Sequence, residues 1–134
     1  MIKFTSPLFV EIPRKTMKPK KIMLNLNVYR NLHYQVNNQA KKIYTEMMKA
    51  QMDGYRFNKI QIEFCLYKGS KSKIDRANIY SIVEKFFCDA LVNNGCLEDD
   101  NDDFIIRTIY RKTEIDKNNP RCEIFIFDAD NIFF

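Results

Sequence analysis

At 134 residues and 16.0 kDa the chain has the length of one compact domain, large enough to bury a core without disulfides or a structural metal. Hydrophobic residues make up 46 % and charged ones 29 %, with three Gly and four Pro, which excludes collagen-like, linker-like and disordered classes. The net charge of +5 hides a division: fifteen Lys/Arg stand against four Asp/Glu up to residue 74 (+11), and seven against thirteen from Asp75 onward (−6). A basic half beside an acidic half is the balance expected of a polyanion-binding surface next to a carboxylate cluster.

The N-terminal residues Met1 to Pro7 lack the basic and apolar regions and the cleavage site of a secretory signal, so no export is expected. No apolar run approaches the roughly 20 residues needed to cross a bilayer, and no membrane contact is expected. Cys65, Cys88, Cys96 and Cys122 form no C-x-x-C pair and lie far in sequence from His33, the single histidine. They read as buried, reduced thiols of a cytoplasmic protein.

In chain order, Phe4 to Glu11 reads as a first strand. A basic loop follows, with Arg14, Lys15, Lys18, Lys20 and Lys21, made irregular by Pro13 and Pro19. Asn25 to Tyr34 is polar and aromatic, and its local structure is left open by its spacing. From Asn38 onward, Ala40, Ile43, Tyr44, Met47 and Met48 recur at helical spacing until Gly54. Ile60, Ile62, Phe64 and Leu66 alternate with Lys59, Gln61, Glu63 and Cys65, the period of a half-buried strand. A second helix is expected over about Ala77 to Val92, with Ile79, Ile82, Val83, Phe86, Phe87, Ala90 and Leu91 on one face. Phe104 to Tyr110 and Cys122 to Phe127 read as two final strands, able to pair as a hairpin with a long loop. The sum is an α+β fold over residues 1–134, a small mixed sheet packed against two main helices.

Two acidic groups flank the second helix: Asp75 at its start and the turn Glu98-Asp99-Asp100-Asn101-Asp102-Asp103 beyond its end. Asp75 suits a helix N-cap as well as it suits a metal ligand. The turn is not an EF-hand, because Phe104 and Tyr110 stand where Gly and Glu are required, which leaves an open carboxylate site for a hard cation such as Mg²⁺. Asn78, Lys85 and Asp89 fall within about 40° of one another on an ideal helix. A lysine among carboxylates can take up the negative charge that builds on a phosphate during hydrolysis, and Lys85 and Asp89 can equally form an ordinary i,i+4 ion pair.

The segments Lys73-Ile74-Asp75-Arg76-Ala77-Asn78, Lys85-Phe86-Phe87-Cys88-Asp89-Ala90-Leu91 and Gly95-Cys96-Leu97-Glu98-Asp99-Asp100 resemble the core signature of the RusA-type Holliday-junction resolvases, D-x-D-N, then K-x-x-x-D-A-L, then glycine and D-D. The resemblance covers about residues 73–104 and implies a single RusA-like endonuclease domain. Members are small homodimeric, Mg²⁺-dependent enzymes, often phage or prophage encoded, that nick four-way DNA junctions in symmetry-related strands during recombination and repair. Mn²⁺ is the alternative cation. Carried over by position, Asp75 and Asp100 become metal ligands with Asp99 beside them, Lys85 the catalytic lysine, and Asn78 and Asp89 its support on the helix face. Two departures stand out: Ala77 replaces the second acid of D-x-D-N, and four extra residues separate Asn78 from Lys85. Glu84, Asp102 and Asp103 are the acids available to fill the gap. If none does, the chain binds branched DNA without cutting it. The resemblance gives the basic half a role: Arg14, Lys15, Lys18, Lys20, Lys21, Arg30, His33, Lys71 and Lys73 contact DNA phosphates, and Tyr29, His33 and Tyr34 either stack on bases or pack internally. An unrelated basic interaction domain is the reading left if junctions are not preferred over linear duplex.

Overall fold

The computed structural model describes residues 1–129. The expected first strand is two strands. Strand β1 (Ile2–Ser6) enters the main sheet, and β2 (Phe9–Ile12) pairs antiparallel with β3 (Lys20–Met23) in a separate ribbon, Val10 opposite Ile22. Pro7, with its fixed φ and no N–H, breaks the ladder between them. The basic stretch 13–19 is therefore the exposed tip of a ribbon, whose root is closed by a 2.9 Å hydrogen bond from Leu24 N to Leu8 O.

The stretch that the spacing left open forms helix α1 (Leu26–Asn31), capped by Asn25, whose Oδ1 accepts from Val28 N at 2.9 Å. Helix α2 (Tyr34–Met52) starts four residues earlier than the apolar spacing implies, because His33 Nδ1 serves as its N-cap, accepting from Gln35 N at 3.2 Å. Its buried line is Asn37, Ala40, Tyr44, Met48 and Met52.

The main sheet is ordered β1-β7-β4-β5 around β4 (Ile60–Lys68), with β5 (Ile105–Tyr110) parallel to β4 and β7 (Arg121–Asp128) antiparallel to it. The two final strands thus do not pair as a hairpin; they straddle β4. Burial explains this: β4 hides Ile60, Ile62, Phe64 and Leu66 on one face and Gln61 and Cys65 on the other, so both its edges are better paired than left open. The connection from β5 first adds a short strand, β6 (Glu114–Ile115), beside the end of β4. It then crosses over Gly69, where a Cβ would stand 3.0 Å from Pro120 Cγ.

Helix α3 (Arg76–Asn93) links β4 to its parallel neighbour β5 and packs with α2 on one face of the sheet. Phe87 meets Phe4 and Phe64 at ring-centroid distances of 5.6 and 6.3 Å, and Phe86 meets Tyr44 at 5.6 Å. The opposite face carries no helix among the described residues. It is covered by its own arginines: Arg111 lies 4.1 Å over Phe125 and pairs with Glu63, and Arg121 lies 4.0 Å over Tyr67 and pairs with Asp116 and Glu123. The long arginine stems keep Phe125 out of water while their charged heads stay at the surface. The four cysteines are free and buried, and burial pushes the Cys122 thiol up to about 12, so none offers a ready thiolate. No helix among the described residues is long and apolar enough to cross a membrane.

Candidate functional site

The positions of Ser81, Glu84, Lys85 and Cys88 form an i, i+3, i+4, i+7 stripe on α3, and this stripe floors a cleft of about 440 Å³. Tyr29 of α1 walls one side, and the 100–102 turn and Thr108 of β5 wall the other. Gly95 brings the acidic turn back to the helix. Its φ of +76° suits only a residue without a side chain, and Cys96 N closes the turn on Leu91 O at 2.8 Å. Asp100 and Asp102 consequently line the same cleft as Lys85, although they follow it by fifteen and seventeen residues.

Lys85 Nζ lies 5.5 Å from the centroid of the Tyr29 ring, and Lys41 Nζ of α2 lies 5.7 Å from the same ring. Lys41 pairs with Asp89 at 3.4 Å. The i,i+4 pair between Lys85 and Asp89 that the spacing allows is not made, and Lys85 has no ion pair among the described residues. Tyr29 is itself fixed, its carbonyl accepting from Asn37 Nδ2 at 2.9 Å and its ring set edge-on against Phe86.

Glu84 accepts a hydrogen bond from the Tyr110 hydroxyl at 2.7 Å. Tyr110 stacks on Tyr80 with 4.8 Å between centroids, and the Tyr80 hydroxyl accepts from Leu66 N and donates to Arg111 O. A chain of rings thereby anchors Glu84 to the central strand. Desolvation raises the Asp100 carboxyl above its ordinary value, and its neighbours Asp99 and Asp89 raise it further. Asp99 shapes the turn by accepting from Asp100 N at 2.7 Å and from Asn101 Nδ2 at 3.2 Å. Ser81 Oγ is buried and without a hydrogen-bond partner among the described residues.

Of the residues expected to act together, Lys85 and Asp100 meet in the cleft, with Glu84 and Asp102. Asp75 and Asn78 are not part of its lining. Asp75 caps α3, accepting from Ala77 N at 3.1 Å, and it precedes Lys85 by ten residues, about 15 Å along a helix axis. Asp75 thus stands at the start of α3, outside the cleft that Asp100 lines. The cleft does offer the hard oxygen donors that Mg²⁺ takes, from Glu84, Asp100 and Asp102, and like charge around Asp100 favours a cation there. A hard, largely hydrated ion needs only one or two such carboxylates, which this donor set supplies.

No protein-family model matches the chain, and no curated protein matches it. The resolvase resemblance stands on its motif residues alone.

The basic residues are exposed. Arg14, Lys15, Lys18, Lys20 and Lys21 occupy the β2–β3 ribbon, where Arg14 Nε donates to Lys18 O at 2.8 Å and Lys21 lies 4.1 Å over Phe9. Ser6, Cys122 and Leu66 share one level of the sheet, so the ribbon root and the loop carrying Lys71 and Lys73 leave the same end of it. Arg30 is in the last turn of α1 and His33 at the α1–α2 corner, its ring tilted by 31° against that of exposed Tyr34 with 4.6 Å between centroids. Sequence spacing carries no sign of Lys41 or Tyr110 as neighbours of the site, because each reaches it only through packing between separate elements; Ser81, four residues before Lys85 on α3, is within reach of a spacing argument.

Proposed function

We propose that this protein is a Mg²⁺-dependent, structure-selective DNA endonuclease of the RusA type that resolves four-way junctions by paired nicks. The observation that carries the reading is that Lys85, without an ion pair among the described residues, lines one cleft with Asp100, on a chain whose basic ribbon is exposed. In this reading Lys85 stabilises the charge that develops on the phosphate oxygens as the phosphodiester is hydrolysed. Asp100, with Glu84 or Asp102, would hold Mg²⁺ or Mn²⁺, which would supply polarisation of the phosphate. Tyr110 keeps Glu84 turned to the cleft, and the ribbon and the Lys71–Lys73 loop hold the DNA backbone. Nicks in two symmetry-related strands require two such clefts, hence a C₂ homodimer acting on DNA in a host cytoplasm.

The four extra residues between Asn78 and Lys85 account for the distance of Asp75 within this reading. Without them the second acid of D-x-D-N would fall at Ser81, inside the cleft, where a neutral hydroxyl now stands. Asp75 is therefore assigned to the helix cap and not to the metal.

Ala77, a methyl group where the motif has its second acid, favours a second reading, a branched-DNA-binding protein of the same fold with little or no cleavage. Incubation of purified protein with a synthetic four-way junction, with and without Mg²⁺, separates the two. Paired nicks that require the metal and are lost in Asp100→Asn support the enzyme. Tight junction binding with no product at any metal concentration supports the binder.

A further inference from the structure

Lys85 and Asp89 stand at i and i+4 on α3, the spacing at which opposite charges on a helix pair. Here the pair is broken by a third residue from another helix. Lys41 takes Asp89 at 3.4 Å, in a partly enclosed position where the two side chains are 23 % and 33 % exposed. Both ammonium groups lie over the Tyr29 ring, Lys41 Nζ 5.7 Å and Lys85 Nζ 5.5 Å from its centroid. The ring attracts both cations, while Lys41 is paired with Asp89 and Lys85 lines the cleft.

We propose that Lys41 is a positioning residue for Lys85: by holding Asp89 it prevents that carboxylate from capturing the Lys85 ammonium, which stays available for a phosphate group in the cleft. The proposal rests on the reading of the cleft as the place where a DNA phosphate reacts. The charge of Asp89 reaches Asp100, whose carboxyl it helps to raise, so an uncompensated Asp89 adds negative charge near the cleft that Asp100 lines. Both consequences act in one direction when Lys41 is removed. An exposed i,i+4 pair alone shifts an equilibrium about twofold, and the added like charge in a half-buried setting brings the expected effect to about fivefold or more.

The test compares wild type, Lys41→Met and Lys41→Met/Asp89→Asn in two measurements. In junction cleavage at saturating Mg²⁺, Lys41→Met lowers kcat by about fivefold with junction affinity nearly unchanged, and the double variant recovers to within about twofold of wild type. A purely packing role for Lys41 predicts no recovery on removing a second charge. The other measurement needs no cleavage: the ¹⁵Nζ resonance of Lys85 is followed as inorganic phosphate is added. It moves in wild type, is insensitive in Lys41→Met and moves again in the double variant. That phosphate pattern without any cleavage by wild type overturns the nuclease reading and leaves the role of Lys41 in place. Active wild type with Lys41→Met equally active, or a Lys85 resonance equally responsive in all three proteins, overturns the proposal.

Discussion

The Tyr110 hydroxyl donates to Glu84 at 2.7 Å across the wall of the cleft, tying a helix side chain to an edge strand twenty-six residues away. Burial raises the Tyr110 hydroxyl well above its ordinary value and the Glu84 carboxylate raises it further, so it remains a donor across the neutral range. Tyr110→Phe keeps the stack on Tyr80 and removes only this bond. The expected loss is about 1 kcal/mol, or about 3–4 °C in Tm for a chain of this length, measured by thermal unfolding. An unchanged Tm would mean that water replaces the hydroxyl without cost.

Asp75 separates two roles through two substitutions. Asparagine caps helices about as well as aspartate, whereas alanine does not, so Asp75→Asn retains stability and Asp75→Ala loses about 1 kcal/mol. With Asp75 far down the helix from Lys85, junction cleavage persists in Asp75→Asn. Abolished cleavage with intact binding in that variant would return Asp75 to the reaction, as the motif alone implies.

Asp100 has a pH signature. Its carboxyl is raised in the folded protein, so the charged form is disfavoured by folding; its contribution to stability is fully present at pH values below its ordinary 3.8 and is lost as pH rises through the raised value. Asp100→Asn is therefore more stable than wild type at pH 7, and the two melting curves converge as pH falls below that ordinary value. A site residue that weakens the fold while serving the chemistry is a common stability–function trade. Equal Tm values for the two proteins at pH 7 would remove the strain inferred for this carboxylate.

The basic ribbon predicts a salt slope. If Lys15, Lys18 and Lys20 each neutralise a DNA phosphate, replacing all three by Gln lowers the slope of log K against log salt by about 0.9 for each phosphate no longer neutralised, with little change in preference among sequences. Fluorescence anisotropy with a labelled junction between 50 and 200 mM salt, about the range where such charge pairing dominates, gives the slope. An identical slope for the triple variant would place the DNA elsewhere on the surface.

Much of the architecture is readable from local patterns. The seven apolar residues expected on α3 run from Ile79 to Leu91 through the middle of its 18 residues, and alternation from Ile60 to Leu66 marks β4, because these periods follow from 3.6-residue turns and from strand pleating. The break at Pro7 and the start of α2 at His33 are also local, and both depend on single hydrogen-bonding groups that a periodicity reading passes over. Strand partners are different. Phe104 to Tyr110 and Cys122 to Phe127 look like hairpin strands in isolation, and only the burial of β4 on both faces puts it between them.

The site divides along the same line. Sequence by itself determined that Lys85 shares a helix with Asp89, that an acidic turn follows after a glycine, and that basic charge gathers ahead of Asp75, since each of these is a matter of spacing or composition. Only the tertiary structure decided that Asp100 comes to Lys85 while Asp75 stays at the far end of the helix. It also decided that Lys41, from a different helix, takes the carboxylate Lys85 would otherwise hold. The reason is that a charge pairs with whatever packing brings within a few ångströms, and packing between elements is set by the apolar faces beneath them, not by the polar residues that meet above.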